Sequence, residues 1–159
     1  MLKKTLIKGI AALSLSAVAA TAMANERIIS AGSAVTELIL ALEQQNQLVA
    51  VDVTSELPQD LELPKIGYHR RLSSEGLMAL NPTRLIGSDE MGPETSLSQL
   101  KTAGVEVDIV NTLPTPEGLL ERIDEIAALT DSQKNAEALK AEVNQQISSL
   151  EKNKAQTKE

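Results

Sequence analysis

The sequence predicts an α/β fold in which a small, mostly parallel four-stranded sheet is flanked by helices. Four short runs rich in aliphatic residues lie at 27–30, 47–51, 84–87 and 105–110. Helical patterns separate these runs, and such alternation favours parallel strands joined by right-handed crossovers. The first three runs are continuously apolar, as is typical of buried parallel strands. The fourth alternates, which indicates a half-exposed strand near an edge.

The helices are predicted from their start and stop signals. Ser33 can cap a helix over 34–42, whose apolar residues form one stripe. Ser73 or Ser74 can cap a helix over 75–80, which the Asn81-Pro82 pair would end.

Two further helices follow the same logic. Pro93 precedes a predicted helix over 94–103, and Gly104 is a suitable stop. Pro116 opens a helix over 117–129, with an inward face made of several apolar residues: Leu119, Leu120, Ile123, Ile126 and Ala127.

Asp131-Ser132 is predicted to cap the last helix, which runs to about residue 150. It carries an apolar stripe at spacings of three or four: Ala136, Leu139, Val143, Ile147 and Leu150. No later part of the chain offers a partner for this stripe, because residues 151–159 are polar. We expect either that a partner is missing or that the stripe packs on the same domain.

The first residues predict export from the cytoplasm. Lys3, Lys4 and Lys8 precede an apolar run at 10–20, and Ala22-Met23-Ala24 fits a cleavage site. The run is short for a membrane span, which needs about 20 apolar residues. We expect residues 1–24 to be a cleaved signal peptide and Asn25 to begin a secreted protein.

Composition excludes several classes of function. Removal of the leader moves the formal charge from −7 to −10, because three lysines leave and no acid does. An acidic surface disfavours nucleic acids and anionic membranes as partners. The chain has no cysteine and one histidine, which excludes disulfides, thiolate sites and metal sites built on several histidines.

The one tyrosine and the one histidine are neighbours, in Tyr68-His69-Arg70-Arg71. A phenol binds ferric iron well as phenolate, although its pKa of about 10 opposes ionisation, and a nearby cation favours the ionised form. A tyrosine beside an arginine is also common on ordinary surfaces, so both interpretations stay open here. The loop 56–71 is long, and long loops in compact domains are functional or disordered. It leaves the carboxyl edge of the predicted sheet, where open α/β sheets bind ligands.

Other motifs indicate no catalysis. The glycines fit no phosphate-binding frame, and Ala31-Gly32-Ser33-Ala34 lacks the second glycine of a nucleophile elbow. The Asp89-Glu90 pair is more typical of a solvated loop than of a metal or glycosidase centre. Glu75 lies in the first turn of a predicted helix, where an acid complements the helix dipole.

Several segments resemble bacterial haemin-binding periplasmic proteins, the substrate-binding components of haem ABC importers. They lie at 27–37, 64–76, 79–88 and 100–105. The strand and turn pattern is shared with relatives that bind cobalamin or siderophores. The Gly-Tyr-x-Arg loop at residues 67–70 is the more specific part.

The resemblance implies a role for each residue of the loop. Tyr68 would be the axial ligand of haem iron, and Arg70 would bond its phenolate or pair with a propionate. Arg71 is a weaker candidate for the same work. His69 would point the other way in an extended loop, as a surface residue or a secondary haem contact. Glu75 would dock on the inner-membrane permease.

The family pairs two lobes through one long helix, whereas this chain offers one. We therefore expect a signal peptide at 1–24, an α/β lobe at 25–130 and the start of the inter-lobe helix at 131–159, with the second lobe absent. The predicted function is periplasmic binding of haem for an ABC importer, with no catalytic residue. The alternatives are a siderophore or cobalamin as ligand, or a lobe that only docks on the permease.

Overall fold

The computed structural model describes residues 25–157, and it confirms the predicted α/β architecture. The expected signal peptide, residues 1–24, lies outside the described residues. The four strands are β1 (Ile28–Ala31), β2 (Leu48–Val51), β3 (Arg84–Gly87) and β4 (Glu106–Ile109). They lie in the order β2-β1-β3-β4, and every neighbouring pair is parallel.

Helices cover both faces of the sheet. They are α1 (Ser33–Ala41), α2 (Ser74–Met78), α3 (Glu94–Thr102), α4 (Pro116–Thr130) and α5 (Gln133–Gln156). Short 3-10 turns occupy Gln45–Gln47 and His69–Arg71.

The predicted helix boundaries lie within two residues of the observed ones, except that α5 continues to Gln156 rather than ending near residue 150. The Ser73 hydroxyl accepts the backbone N–H of Gly76 at the start of α2. Pro93 precedes α3, and Gly104 follows it with φ +89°.

The predicted cap of α1 is wrong. Ser33 is the first helical residue, and Gly32, with φ 116°, takes the capping position without a side-chain bond. The first helical N–H is instead bonded by Thr54, which follows β2: the Ser33 N–H donates to the Thr54 hydroxyl at 3.2 Å. Ser132 likewise precedes α5 without capping it, and its hydroxyl bonds that of Thr130 at 2.7 Å.

The sheet separates two cores because successive side chains of a strand point to opposite faces. Ile28 packs with α1, α4 and α5 through residues such as Ile39 and Ile126. Its neighbour Ile29 packs with α2 and α3 through residues such as Leu77 and Leu100. All six side chains are almost completely buried: Ile28, Ile29, Ile39, Leu77, Leu100 and Ile126.

The two edge strands, β2 and β4, differ in how far they are covered. β4 exposes part of its surface, which confirms its predicted position at an edge. β2 is flanked at its carboxyl end by the returning loop, because Val51 forms a parallel bridge with Lys65. The Val51 N–H donates to the Pro64 carbonyl at 3.1 Å, and the Ile66 N–H donates to the Val51 carbonyl at 2.9 Å. This pairing directs the chain back along the sheet edge toward residue 68.

The first half of α5 packs on the same domain. Ala136 is buried, and Leu139 and Val143 pack against the core that α4 shares. Further along the helix, Leu150 is 68% exposed. Of the two expectations for the apolar stripe, packing on the same domain is therefore correct as far as Val143. Within residues 25–157, no helix has the length and apolar character needed to cross a membrane.

Candidate functional site

The carboxyl ends of the parallel strands meet around a cleft of about 330 Å³. Residues that follow β1, β2, β3 and β4 all contribute to its wall, as expected for an open parallel sheet. The polar side chains of the wall are Ser33, Thr54, His69, Ser88, Glu90, Asn111, Thr112 and Arg122.

The loop that carries Tyr68 is anchored by backbone bonds on both sides of the cleft. The Val53 N–H, just beyond β2, donates to the Gly67 carbonyl at 2.9 Å. The Gly92 N–H, beyond β3, donates to the His69 carbonyl at 3.0 Å, and the Leu72 N–H donates to the Gly92 carbonyl at 2.7 Å. The loop is thus held to two strand ends rather than extended into solvent.

Tyr68 lies at the mouth of the cleft. Its side chain does not line the cleft wall. The centroid of its ring is 4.5 Å from the ring centroid of His69, and His69 does line the wall. Tyr68 is 42% exposed, and Val53 beside the Gly67 peptide is 54% exposed. Tyr68 and Val53 are therefore both accessible from solvent.

His69 does not point to solvent, and the expectation of an extended loop is wrong. Residues His69–Arg71 form a 3-10 turn, which directs the imidazole inward. The side chain is 12% exposed, and Nδ1 lies 2.8 Å from Oδ2 of Asp52. An ionised carboxylate only accepts hydrogen bonds, so Nδ1–H is the donor.

Asp52, the residue directly after β2, was not among the predicted site residues. It is completely buried. Burial acts to raise the pKa of its carboxyl. Hydrogen bonds from His69, Ser55 and Thr54 and from the Gly32 N–H outweigh that effect and hold the pKa below its ordinary value. An acid directly after a buried strand was the available signal.

A row of buried hydroxyls continues from this carboxylate beneath the sheet edge. Ser55 donates to Asp52 Oδ1 at 2.9 Å, and its oxygen lies 2.7 Å from that of Thr36. The Thr36 hydroxyl lies 2.6 Å from that of Ser30 in the central strand β1. Every polar group in the row has a partner, so the row can hold Asp52 in one position.

The arginines of the loop differ in their partners. Arg70 forms an ion pair with Glu90, and no hydrogen bond joins it to the Tyr68 hydroxyl. Glu90 also lies 3.6 Å from Nε2 of His69. Glu90 is thus half exposed, as predicted for a solvated loop, and it also lines the cleft wall. Arg71 is exposed and makes no ion pair among residues 25–157.

Glu75 lies apart from the cleft wall. It is exposed in the first turn of α2, beside a groove between α2 and α3 that Ser74, Met78 and Gln99 help to line. Within the described residues, no group of three or more His, Cys, Asp or Glu side chains could hold a metal ion. A lone phenolate can ligate a metal only when other groups, such as a porphyrin, supply the remaining ligands.

A family model described as periplasmic binding protein matches residues 28–159. The chain belongs to this family. Members of the family are substrate-binding components of ABC-type importers. The parallel sheet and the cleft at its carboxyl edge agree with one lobe of such a protein.

Solved structures include similar proteins with haem in their names. The periplasmic haem-binding protein HutB of Vibrio cholerae is 60% identical, with a TM-score of 0.78 over 80% of this chain and 49% of that one. A periplasmic haem-binding protein of Pseudomonas aeruginosa is 40% identical, with a TM-score of 0.71 over 76% of this chain and 43% of that one.

Curated relatives carry another ligand in their names. A vitamin B12-binding protein of Vibrio parahaemolyticus is 27% identical over 132 residues, which are 80% of this chain and 48% of that protein. The chain spans about half the length of the relatives and structures that it matches.

Proposed function

We propose that this chain binds ferric haem at the carboxyl edge of its sheet, with the Tyr68 phenolate on the iron, for delivery to an ABC importer. The observation that carries the proposal is the position of Tyr68. Its phenol is exposed at the mouth of a cleft, in a loop that is anchored to two strand ends. A fixed and reachable oxygen donor is what an incoming iron centre requires.

The chemistry of the loop suits ferric iron. Tyrosinate is an established axial ligand of haem iron. The porphyrin supplies four nitrogen ligands, so one protein ligand is enough, and the lack of a multidentate cluster within residues 25–157 is no obstacle.

The neighbours of Tyr68 fit the rest of the haem molecule. Arg70 is about half exposed, and its guanidinium can pair with a propionate if it leaves Glu90. Arg71 is exposed and can assist. Val53 offers apolar surface for the macrocycle. His69, in the cleft wall beside the Tyr68 ring, is a secondary contact.

Cobalamin is the second candidate ligand, because five curated matches are named vitamin B12-binding proteins, the first of them at 27% identity. The 60% identity to a haem-binding structure supports haem more strongly. A siderophore is the remaining possibility on this scaffold. With cobalamin or a siderophore, Tyr68 would act as a stacking surface rather than as an iron ligand.

The role in transport follows from the family. We propose that residues 25–130 act as a ligand-binding lobe, that residues 131–159 begin an inter-lobe helix, and that the protein works in the periplasm after loss of residues 1–24. Glu75 would dock on the permease. The protein would carry its ligand without catalysing a reaction, and a lobe that docks without carrying ligand is the alternative.

A spectroscopic titration tests the proposal. We expect haemin added to the purified chain to give a tyrosinate-type absorption spectrum, and Tyr68→Phe to abolish it with little effect on the fold. Cyanocobalamin in a parallel titration distinguishes the second candidate. Binding of cyanocobalamin without binding of haemin would refute the haem proposal, and so would an identical haemin spectrum for Tyr68→Phe.

A further inference from the structure

We propose that Asp52 is a positioning residue that orients His69 and, through it, the ring of Tyr68. This inference rests on the proposed function, because it concerns the same ligand. Asp52 is completely buried and does not line the cleft. Its Oδ2 nevertheless lies 2.8 Å from Nδ1 of His69, whose ring lies 4.5 Å from the ring of Tyr68 at an interplanar angle of 57°.

The carboxylate is itself held in place. Ser55 donates to its Oδ1 at 2.9 Å, and Thr54 donates to both oxygens, at 3.0 Å to Oδ1 and 2.9 Å to Oδ2. An acceptor with this many partners cannot rotate without breaking several bonds. It can therefore fix the position of whatever else bonds to it.

His69 transmits this fixed position to the loop. The side chain is anchored at Asp52, and the backbone carbonyl accepts the Gly92 N–H at 3.0 Å. With Nδ1–H directed at Asp52, Nε2 faces Glu90 at 3.6 Å, on the side of the cleft. The imidazole then forms a fixed wall for the Tyr68 ring. Supporting hydrogen bonds of this kind act on binding by orienting the groups that touch the ligand.

The orientation can be measured without any ligand, because the chain has a single histidine. Nitrogen NMR shifts of the neutral imidazole report which ring nitrogen carries the proton. We expect the wild type to hold its proton on Nδ1 and Asp52→Asn to give a mixture of both tautomers. Asp60→Asn is the matched control, since it makes the same acid-to-amide change at an exposed position and leaves the bond between Asp52 and His69 intact. It should resemble the wild type.

Haemin titration then measures the consequence for binding. Asp52→Asn should weaken binding about tenfold and alter the tyrosinate band, whereas the control Asp60→Asn should stay near the wild type. His69→Ala should cause a similar loss. The double variant with Asp52→Asn and His69→Ala should bind haemin no more weakly than either single variant, because both changes break the same hydrogen bond between Asp52 and His69. Thermal unfolding of each variant shows that it is folded.

The outcomes separate the two proposals. If the wild type binds haemin and Asp52→Asn binds it with the same affinity and the same spectrum, the positioning role is overturned while the haem proposal stands. Additive losses in the double variant would also overturn it. If the wild type gives no haemin spectrum, the proposed function is refuted, and so is the effect of Asp52 on haem binding. The nitrogen shifts still show whether Asp52 orients His69.

If Asp52→Asn fails to fold, His69→Asn replaces it. The asparagine amide can donate to Asp52 in place of Nδ1. The His69→Asn protein should therefore bind haemin more tightly than the His69→Ala protein, and equal binding by the two would overturn the proposal.

Discussion

Arg70 and Glu90 form an ion pair at the rim of the cleft, and the two side chains are 52% and 50% exposed. Exposed pairs of this kind contribute little stability. The pair instead determines what Arg70 can bind, because a ligand carboxylate must replace Glu90 on the guanidinium. If Arg70 holds a haem propionate, Glu90 is its competitor.

The first prediction concerns this competition. Glu90→Gln should raise the affinity for haemin severalfold, because a neutral amide holds Arg70 less strongly than a carboxylate does. Haemin titration followed by absorbance measures the effect. The dimethyl ester of haemin, which has no propionate charge, is the control and should bind both proteins equally. A similar gain with the ester would show that Glu90 acts on something other than carboxylate capture.

The second prediction compares the two arginines. Loss of a hydrogen bond to a charged group typically costs about 1.5–3 kcal/mol, so Arg70→Ala should weaken haemin binding by roughly ten- to a hundredfold. Arg71→Ala should cost less, and it is the matched control because it removes a cation from the same turn. If both changes have equal and negligible effects, the two arginines are solvated surface residues that do not contribute to haemin binding.

The third prediction follows from the lowered pKa of Asp52. Its folded pKa lies below the ordinary value of about 3.9, so its stabilising effect is complete above that value and is lost as pH falls through the folded pKa. The facing titratable partner is His69. The difference in free energy of unfolding between the wild type and Asp52→Asn should be nearly constant from about pH 7 to pH 5 and shrink below about pH 4. Urea unfolding at each pH measures it.

The control for this experiment is Asp60→Asn, which changes an exposed carboxylate. Surface changes usually alter stability by no more than about 0.5 kcal/mol, so this variant should follow the wild type. A difference between the wild type and Asp52→Asn that persists unchanged to pH 3 would contradict the assignment.

The fourth prediction tests how α5 packs. Leu139 contacts the core shared with α4, so Leu139→Ala should lower the free energy of unfolding by about 1–2 kcal/mol. Leu150→Ala makes the same chemical change at an exposed position and should cost less than about 0.5 kcal/mol. Urea unfolding at neutral pH compares them. Equal losses would mean that the far half of α5 is also covered.

The fifth prediction concerns docking. Glu75→Ala should leave haemin affinity unchanged but weaken association with membrane vesicles that contain the haem importer's permease. Glu94→Ala is matched, because both acids are exposed in the first turn of a helix and complement its dipole. Equal binding of both variants to the vesicles would remove Glu75 from the docking surface.

Sequence alone determined much of the framework. The strands were predictable because fully buried parallel strands need continuous apolar runs, and β3 was placed at its observed limits, 84–87. Helix starts were predictable where the signal is local, as at Ser73, whose hydroxyl caps α2, and at Pro93, which precedes α3. The start of α1 was not, because Thr54, which is 21 residues away from Ser33, accepts its N–H.

Tertiary structure decided the chemistry around Tyr68. The residue itself was evident from composition, since it is the only tyrosine. Its surroundings depend on Asp52, 17 residues before His69, and on Glu90, 20 residues after Arg70. Such pairs form only when separate strand ends meet at one edge of the sheet. The direction of the His69 side chain depends on a 3-10 turn held by backbone bonds to distant residues, which no local pattern encodes.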